Sequence, residues 1–291
     1  MRSILFVPST VQRFIERAPD AGADVVCLDL EDSIPPAEKA NARAAAAQAI
    51  GNMPQTGYQT YVRVNALQTG LLEDDLTALV KPGLDGIILS KSDSRATVER
   101  ADSYLGLLER QRQMAPGSVS IIALVETASG IMNCREISEA SARLTGIAFG
   151  AEDLATDMHI QRSREGDEIR WPRAQLAIAA HAAGLVAIDT PEPDYTDLEY
   201  LESEASYARS LGYRGKLCIH PSQVPVLNRV FSPTEDEVAE ARATVELFER
   251  EGIARGRAAI PANGRMIDTP IYWRAKRLIE WAESAGAGAE K

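Results

Sequence analysis

The feature that most constrains the fold is a series of short apolar runs that recurs along the first three quarters of the chain. Eight runs can be read in order: "SILFVP", "VVCLDL", "TYVRVN", "GIILSK", "IIALVE", "GIAFG", "GLVAID" and "KLCIHP". Segments that suit helices lie between most of them, such as "PAEKANARAAAAQAI" after the second run and "RAQLAIAAHAA" before the seventh. Strands that are apolar along nearly their whole length and alternate with helices are typical of a parallel sheet covered by helices.

Eight strand-helix units of this kind predict a (β/α)8 TIM barrel. Active sites of such barrels form at the carboxyl ends of the strands. Polar residues stand at the ends of the predicted strands, and they are Asp29, Glu31, Asp32, Arg63, Asn65, Lys91, Glu126, Glu152, Asp153, Asp189 and His220. A ring of acids that also contains an arginine, a lysine and a histidine indicates a catalytic mouth.

The pattern changes after the eighth run. The stretch "SPTEDEVAEARATVELFEREGIARG" begins with a capping signal and an acidic first turn, and it predicts one amphipathic helix. The stretch "RAAIPANGRMIDTPIYWRAKRLIEWAESA" predicts a loop followed by a final helix. We therefore expect a barrel catalytic domain over residues 1–232 and a C-terminal helical extension over residues 233–291.

Composition excludes several classes of partner. The formal net charge of -11 argues against a nucleic-acid-binding surface, which needs clustered Lys and Arg. No apolar run approaches the roughly 18 residues of a membrane helix, and "MRSILFVPST" lacks the length and the cleavage site of a signal peptide. The three cysteines form no CxxC pair. We expect a cytoplasmic protein with no membrane or nucleic-acid partner.

Glu126 and Asp153 place one carboxylate at the end of each of two consecutive strands. Adjacent strand ends are close in space, and two carboxylates without Cys or His at ligand spacing suit a hard cation that keeps water ligands, Mg²⁺ before Zn²⁺. The alternative is that both residues cap the helices that follow, because "ETASG" and "EDLAT" also suit first turns. The residues alone leave both interpretations open.

Three other strand-end residues have a catalytic and a structural interpretation. Arg63 interrupts the apolar run "YVRVN", where it could clamp a substrate carboxylate or form a buried ion pair with one of the ring acids. Lys91 could form a Schiff base with a carbonyl substrate, but a salt bridge with Asp29 or Glu31 is the favoured use. His220 suits a structural role as well as a catalytic one.

Seven stretches together resemble the citrate lyase β-subunit-like family, which includes malyl-CoA and citramalyl-CoA lyases within the HpcH/HpaI aldolase superfamily. They are "RSILFVPS", "GADVVCLDLEDSIPPAEKANAR", "YVRVN", "ALVETASGI", "FGAEDLATD", "GKLCIHPSQV" and "RMIDTPIYWRAKRLI". Each motif is weak alone, but the set runs in order from Arg2 to about Leu278. One departure is visible, because Ser9 follows Pro8 where the family usually has Gly.

The resemblance implies a Mg²⁺-dependent enzyme with acyl-CoA and 2-oxo acid substrates. By motif, Glu126 of "VETA" and Asp153 of "GAEDL" would bind the metal and, through it, the substrate, and Arg63 of "VRVN" would hold the oxo acid. Asp268 of "MIDTP" matches the catalytic acid/base aspartate, which in several members reaches the site of a neighbouring subunit. A homo-oligomer, trimer or hexamer, is therefore expected. Asp-Thr-Pro is also an ordinary helix start, so a capping role stays open.

The implied reaction is that of a carbon-carbon lyase. It would cleave or form a 3-hydroxyacyl-CoA such as malyl-CoA or citramalyl-CoA, with an acyl-CoA and glyoxylate or pyruvate as the other partners. Two alternatives are a citrate lyase β subunit acting on a carrier-bound citryl thioester and a metal-dependent aldolase for free 2-oxo acids. The phosphates of CoA need local cations, and the candidates are Arg2, Arg13, Lys39 and Arg43.

Overall fold

Eight parallel strands close into a barrel in chain order, so the predicted (β/α)8 fold is confirmed. The computed structural model describes residues 1–54, 57–262 and 264–286. The barrel strands are β1 Ser3–Pro8, β2 Val25–Asp29, β3 Gln59–Val64, β4 Gly86–Leu89, β5 Ser120–Val125, β6 Leu144–Phe149, β7 Val186–Asp189 and β8 Gly215–Cys218. Pairing of β1 with β8 completes the closure.

Alternate residues of each strand point to opposite sides of the barrel wall. One set forms the core inside the barrel, and its buried members are Ile4, Val25, Cys27, Tyr61, Ile88, Ile122, Leu124, Ala148, Ile188 and Leu217. The other set, such as Val26 and Leu28 of β2, packs against the surrounding helices. Because the period is two, Asp29 and Arg63 continue the inward rows of Cys27 and Tyr61 at the mouth of the barrel.

Helices follow the strands and cover the barrel. Their bounds are α1 Gln12–Arg17, α2 Lys39–Asn52, α3 Leu72–Leu79, α4 Arg95–Gln111, α5 Ala128–Met132, α6 Cys134–Ser138, α7 Ala151–Asp157, α8 Arg170–Ala182, α9 Leu198–Ser210 and α10 Val224–Val230. Local sequence explains several starts: Ser94 caps α4 by accepting from Thr97 N–H, and Asp197 caps α9 by accepting from Tyr200 N–H. High alanine content favours α2.

The chain divides into two compact units, Met1–Phe231 and Ser232–Lys291. The second unit contains α11 Glu235–Glu251, β9 Ala259–Ala262, β10 Arg265–Asp268 and α12 Thr269–Gly286. Thr234 and Glu237 form the capping box that begins α11, which agrees with the predicted signal. The expected loop before the last helix is wrong, because β9 and β10 pair there as an antiparallel hairpin.

None of the described helices is long and apolar enough to cross a membrane. Cys27, Cys134 and Cys218 are buried and free. They act as small buried apolar residues.

Asp189 does not belong to the ring of acids at the mouth, although the sequence suggests it. Ile188 is its neighbour inside the barrel, so Asp189 points outward into the helix layer. There it accepts two hydrogen bonds from Arg173 of α8, at 2.8 and 2.7 Å, and one from Lys216 of β8 at 2.5 Å. Burial alone would raise the pKa of Asp189, but the charges of Arg173 and Lys216 outweigh it and lower that pKa. The group joins α8 to two strands.

We predict that Asp189→Asn lowers the free energy of unfolding by about 3 kcal/mol, because it leaves the buried Lys216 without its anion and Arg173 with Glu204 alone. Chemical denaturation measures the loss. Asp167→Asn is the control, since Asp167 pairs with Arg170 on the surface and its removal should cost no more than about 0.5 kcal/mol. Equal stability of the two variants would contradict the structural role of Asp189.

Candidate active site at the carboxyl end of the barrel

Arg63 lies at the end of β3 in a buried ion pair. Its Nε and Nη2 donate to the two carboxylate oxygens of Asp29 at 2.7 and 2.6 Å, and Nη1 lies 3.0 Å from Glu31 Oε2. The guanidinium also stacks over the ring of Phe6 at 4.5 Å. Burial alone would raise the pKa of Asp29, but Arg63 lowers it below its usual range. The ion pair that was one alternative for Arg63 is therefore present, and it fixes the plane of the guanidinium.

Lys91 follows β4 and contacts two acids through its ammonium group. Nζ lies 2.9 Å from Glu31 Oε1 and 3.3 Å from Asp153 Oδ1. Burial alone would lower the pKa of Lys91, but the hydrogen bond and charge of Glu31 outweigh it, with help from Glu126 and Asp153, and raise that pKa. A raised pKa keeps the amine protonated, which argues against a Schiff-base role. The favoured salt bridge with Glu31 is present.

Glu126 ends β5 and is almost completely buried at the mouth. Its Oε1 accepts from the backbone N–H of Lys91 at 2.8 Å, which is the one hydrogen bond to this carboxylate among the described residues. Gly150, which directly follows the adjacent strand β6, makes room for it, because a Cβ at Gly150 would lie 2.6 Å from Glu126 Oε2. Burial first, and then the charges of Asp153 and Glu31, raise the pKa of Glu126 to about 8.

The capping interpretation of Glu126 and Asp153 finds little support. Thr127 caps α5 with its own hydroxyl, and Asp157 accepts from Ala128 N–H at 2.8 Å. The start of α7 has no side-chain cap, and Asp153 lies in its first turn, one-third exposed beside Lys91. Glu152 pairs with Arg162. Of the three acids in "GAEDLATD", Asp153 is therefore the one that lies at the Lys91 ammonium.

The cluster has more negative than positive charge. Its carboxylates are those of Asp29, Glu31, Glu126 and Asp153, and its cations are Arg63 and Lys91. With all four carboxylates ionised, as metal binding requires of Glu126, the negative charges exceed the positive ones by two, and the exposed Asp32 lies 3.9 Å from Arg63 at the edge of the cluster. Within the described ranges, no group of three or more His, Cys, Asp or Glu side chains could hold a metal. A site with two protein carboxylates and an uncompensated charge of two suits Mg²⁺, which keeps several waters and binds one or two carboxylates. The residues present therefore fit this metal.

A cavity of about 480 Å³ opens beside the cluster and is lined by residues that follow β2 to β5. Glu31 and Lys91 form part of its wall, as do Asn65 and Lys39. Asn65 is held by the buried Asp75, which accepts from its backbone N–H and its side-chain amide. Lys39 donates to the carbonyl oxygens of Leu30 and Glu31 at 2.8 and 2.6 Å. These contacts fix the segment that supplies Glu31.

Two of the four cations proposed for CoA phosphates are engaged elsewhere. Arg2 precedes β1 and pairs with Asp24, at the amino end of the barrel. Arg43 pairs with the buried Asp75. Lys39 lines the cavity, so it is the member of the set that the structure brings to the candidate site.

His220 and Asp268 each make contacts with nearby residues of the chain. His220 stacks on Tyr195, with ring centroids 4.5 Å apart, and caps the turn after β8 through Ser222 N–H. Asp268 lies in the C-terminal unit, where its Oδ1 accepts from Ile271 N–H at 3.1 Å, as expected of a helix start. Its participation in a neighbouring subunit's site stays a prediction.

Two features of the site were not found from the sequence. Glu126 occupies the space that a side chain at Gly150 would fill. A glycine that directly follows a buried strand is the available signal. Lys91 adopts a positive φ of 49°, which is uncommon for a residue with a side chain. The stretch "LSKSDS" contains no residue that predicts a positive φ at Lys91.

Comparison with known proteins identifies the family. Residues 2–221 match the HpcH/HpaI aldolase/citrate lyase family. The citrate lyase subunit beta of Leuconostoc mesenteroides subsp. cremoris is 34% identical over 97% of this chain and 93% of its own length. The L-malyl-CoA/beta-methylmalyl-CoA lyase of Cereibacter sphaeroides is 32% identical over 98% of this chain and 96% of its own.

The chain belongs to the HpcH/HpaI aldolase/citrate lyase family. Protein CitE from Mycobacterium tuberculosis, solved in complex with magnesium, acetoacetate and coenzyme A, superposes with a TM-score of 0.76 at 31% identity, over 97% of this chain and 100% of that one. The predicted family and the prediction of a carbon-carbon lyase are confirmed.

The raised pKa of Glu126 predicts a pH-dependent metal affinity. Below about pH 8 the carboxyl group is protonated, so a bound Mg²⁺ must displace one proton. Apparent Mg²⁺ affinity, measured by titration calorimetry, should therefore rise about tenfold per unit between about pH 6 and pH 8 and then level off.

Glu126→Gln is the control for this measurement. It cannot ionise, so its Mg²⁺ affinity should be weak and should not rise in the same way over that pH range. If the unaltered protein bound Mg²⁺ equally well at both ends of this pH range, the link between the raised pKa of Glu126 and metal binding would be contradicted.

Proposed function

We propose that the protein is a Mg²⁺-dependent lyase that cleaves or forms a 3-hydroxyacyl-CoA, with an acyl-CoA and a 2-oxo acid such as glyoxylate or pyruvate as the other partners. The observation behind the proposal is the cluster at the barrel mouth. There Glu126 directly follows β5, Asp153 lies in the first turn of α7 after the adjacent strand β6, and the four carboxylates outnumber Arg63 and Lys91 by two. Related structures contain magnesium with CoA or oxo-acid ligands. We also propose that it acts in the cytoplasm.

Glu126 and Asp153 would hold the metal, and Arg63 would hold the carboxylate of the oxo acid. Bound Mg²⁺ would supply Lewis-acid stabilisation of negative charge on the substrate oxygen. Arg63 has five N–H donors, of which two go to Asp29 and one lies at Glu31. The donors that remain can bind a substrate carboxylate while Asp29 keeps the guanidinium in place. The ion pair and the clamp are therefore compatible.

Cleavage needs one proton transfer to a protein base and one from a protein acid. The substrate hydroxyl loses a proton as the carbon-carbon bond breaks, and the departing thioester enolate gains one. We assign both proton transfers to Asp268 of a neighbouring subunit. Asp268 is half-buried at the start of α12, where the bond from Ile271 N–H fixes one of its carboxylate oxygens.

A panel of 3-hydroxyacyl-CoA thioesters, assayed with Mg²⁺ and with a chelator, tests the proposal. We expect Mg²⁺-dependent release of an acyl-CoA together with a 2-oxo acid. Glu126→Gln and Asp153→Asn should each lose at least about a hundredfold in activity, because each removes one anionic ligand from a site that has few. Both variants should keep the fold, which circular dichroism checks.

The control for these variants is Asp157→Asn, which alters an acid of the same motif that caps α5 away from the Lys91 ammonium. It should stay within a few-fold of the unaltered enzyme. Release of free CoA instead of acyl-CoA would replace the lyase proposal by thioester hydrolysis. Full activity in chelator would contradict the metal assignment.

A second candidate is the β subunit of a citrate lyase complex, in which the acyl group arrives on a carrier protein. It is supported by 34% identity to a citrate lyase β subunit, beside 32% to a malyl-CoA lyase. Activity of the purified chain on free CoA thioesters favours the lyase that acts alone. Activity only on a carrier-bound thioester favours the subunit.

A shared site predicts complementation between inactive variants. Asp153→Asn and Asp268→Asn, each nearly inactive alone, should recover part of the activity when their subunits are dissociated and reassembled together. Mixed homo-oligomers then contain some sites with both native residues, one from each chain. Each variant reassembled with itself serves as the control. An active monomer, or no recovery after demonstrated subunit exchange, would contradict the shared site.

A further inference from the structure

Lys91 contacts three of the acids at the barrel mouth through two different groups. Its backbone N–H donates to Glu126 Oε1 at 2.8 Å. Its ammonium lies 2.9 Å from Glu31 Oε1 and 3.3 Å from Asp153 Oδ1. One residue therefore touches both proposed metal ligands, the buried one through its backbone and the partly exposed one through its charge.

The turn that contains Lys91 is fixed on both sides. Ser90 donates its hydroxyl to Val64 O at 2.8 Å, Ser92 donates its hydroxyl to Leu89 O at 2.8 Å, and Ser92 N–H donates to Leu124 O at 2.9 Å. These bonds hold Lys91 at its φ of 49°. A strained left-handed conformation of this kind persists only where several surrounding contacts hold it.

We propose that Lys91 is a positioning residue that sets the metal affinity of the site. Its backbone N–H keeps the Glu126 carboxylate in place, and its ammonium stays paired with the Asp153 carboxylate until a divalent cation displaces it. This inference rests on the proposed function, because it takes Glu126 and Asp153 as the metal ligands. It assigns to Lys91 the role of an internal competitor of Mg²⁺.

The direction of the effect follows from exposure and charge. The Lys91 and Asp153 side chains are 34% and 33% exposed, so their ion pair contributes little to ordering the site. The same ammonium lies 2.9 Å from the buried Glu31 and 3.3 Å from Asp153, so it repels a divalent cation that approaches these acids. Loss of the ammonium should therefore tighten metal binding. The backbone bond to Glu126 does not depend on the side chain.

Titration calorimetry of Mg²⁺ binding to Lys91→Met tests the proposal. Met and Lys are both unbranched at Cβ, so the strained backbone is unchanged between them. We expect the variant to bind Mg²⁺ about tenfold more tightly than the unaltered protein. The rise in melting temperature on adding Mg²⁺ should be larger as well, since tighter binding stabilises the folded state more.

Two control variants define the outcome. Lys91→Arg keeps the charge and should bind Mg²⁺ within about twofold of the unaltered protein. Lys39→Met removes a lysine of the same cavity that donates to backbone carbonyls, so its effect should be smaller than that of Lys91→Met. Lys91→Gln gives the same comparison if Lys91→Met does not fold.

Unchanged or weaker binding by the neutral variants would overturn the role of Lys91 while leaving the proposed function intact. An equal gain in Lys39→Met would also overturn it, because the effect would then be a general one of charge. Absence of Mg²⁺ binding by the unaltered protein would contradict the proposed function and this inference together.

Discussion

The compensation of buried charge at the carboxyl end of the barrel is the constraint on which the rest of the site depends. Four acids lie there with one arginine and one lysine, and each cation serves more than one acid. Charge in a poorly solvated site is costly unless it is paired. Burial raises the pKa of both Glu31 and Glu126, but Glu31 is fixed by Arg63 and Lys91, whereas Glu126 has a single hydrogen bond among the described residues. The unbalanced part of the cluster is therefore the part that can receive a cation.

Position along a strand decides whether a polar residue serves this cluster or the scaffold. Asp29 and Arg63 occupy inward rows and meet at the mouth. Asp189 and Lys216 occupy outward rows, and with Arg173 and Glu204 they form a group of two acids and two cations between the barrel and the helices. A shift of one residue changes the side of the wall and with it the role of the side chain. Similar residue types thus support both the chemistry and the packing.

Much of the fold could be predicted from the sequence, because buried parallel strands leave continuous apolar runs that are separated by helical segments. The ring of strand-end acids was predictable for the same reason, apart from Asp189. Both faces of its strand are apolar, so the sequence does not show whether Asp189 faces the inside or the outside of the barrel. The β9–β10 hairpin was missed because its strands are short and contain Pro261. The space at Gly150 and the conformation of Lys91 depend on neighbouring strands, which local sequence does not describe.

Charge balance also explains why Arg63 and a metal would both be needed under the proposed function. A divalent cation would neutralise the excess of the four acids over Arg63 and Lys91. An incoming 2-oxo acid then adds one negative charge to a neutral cluster, so its carboxylate needs donors that the acids have not saturated. Arg63 retains such donors because Asp29 occupies one edge of its guanidinium and leaves N–H groups on the other side. The buried Asp29 thus fixes the direction in which Arg63 can bind an anion, and that direction limits how a substrate carboxylate can enter the site.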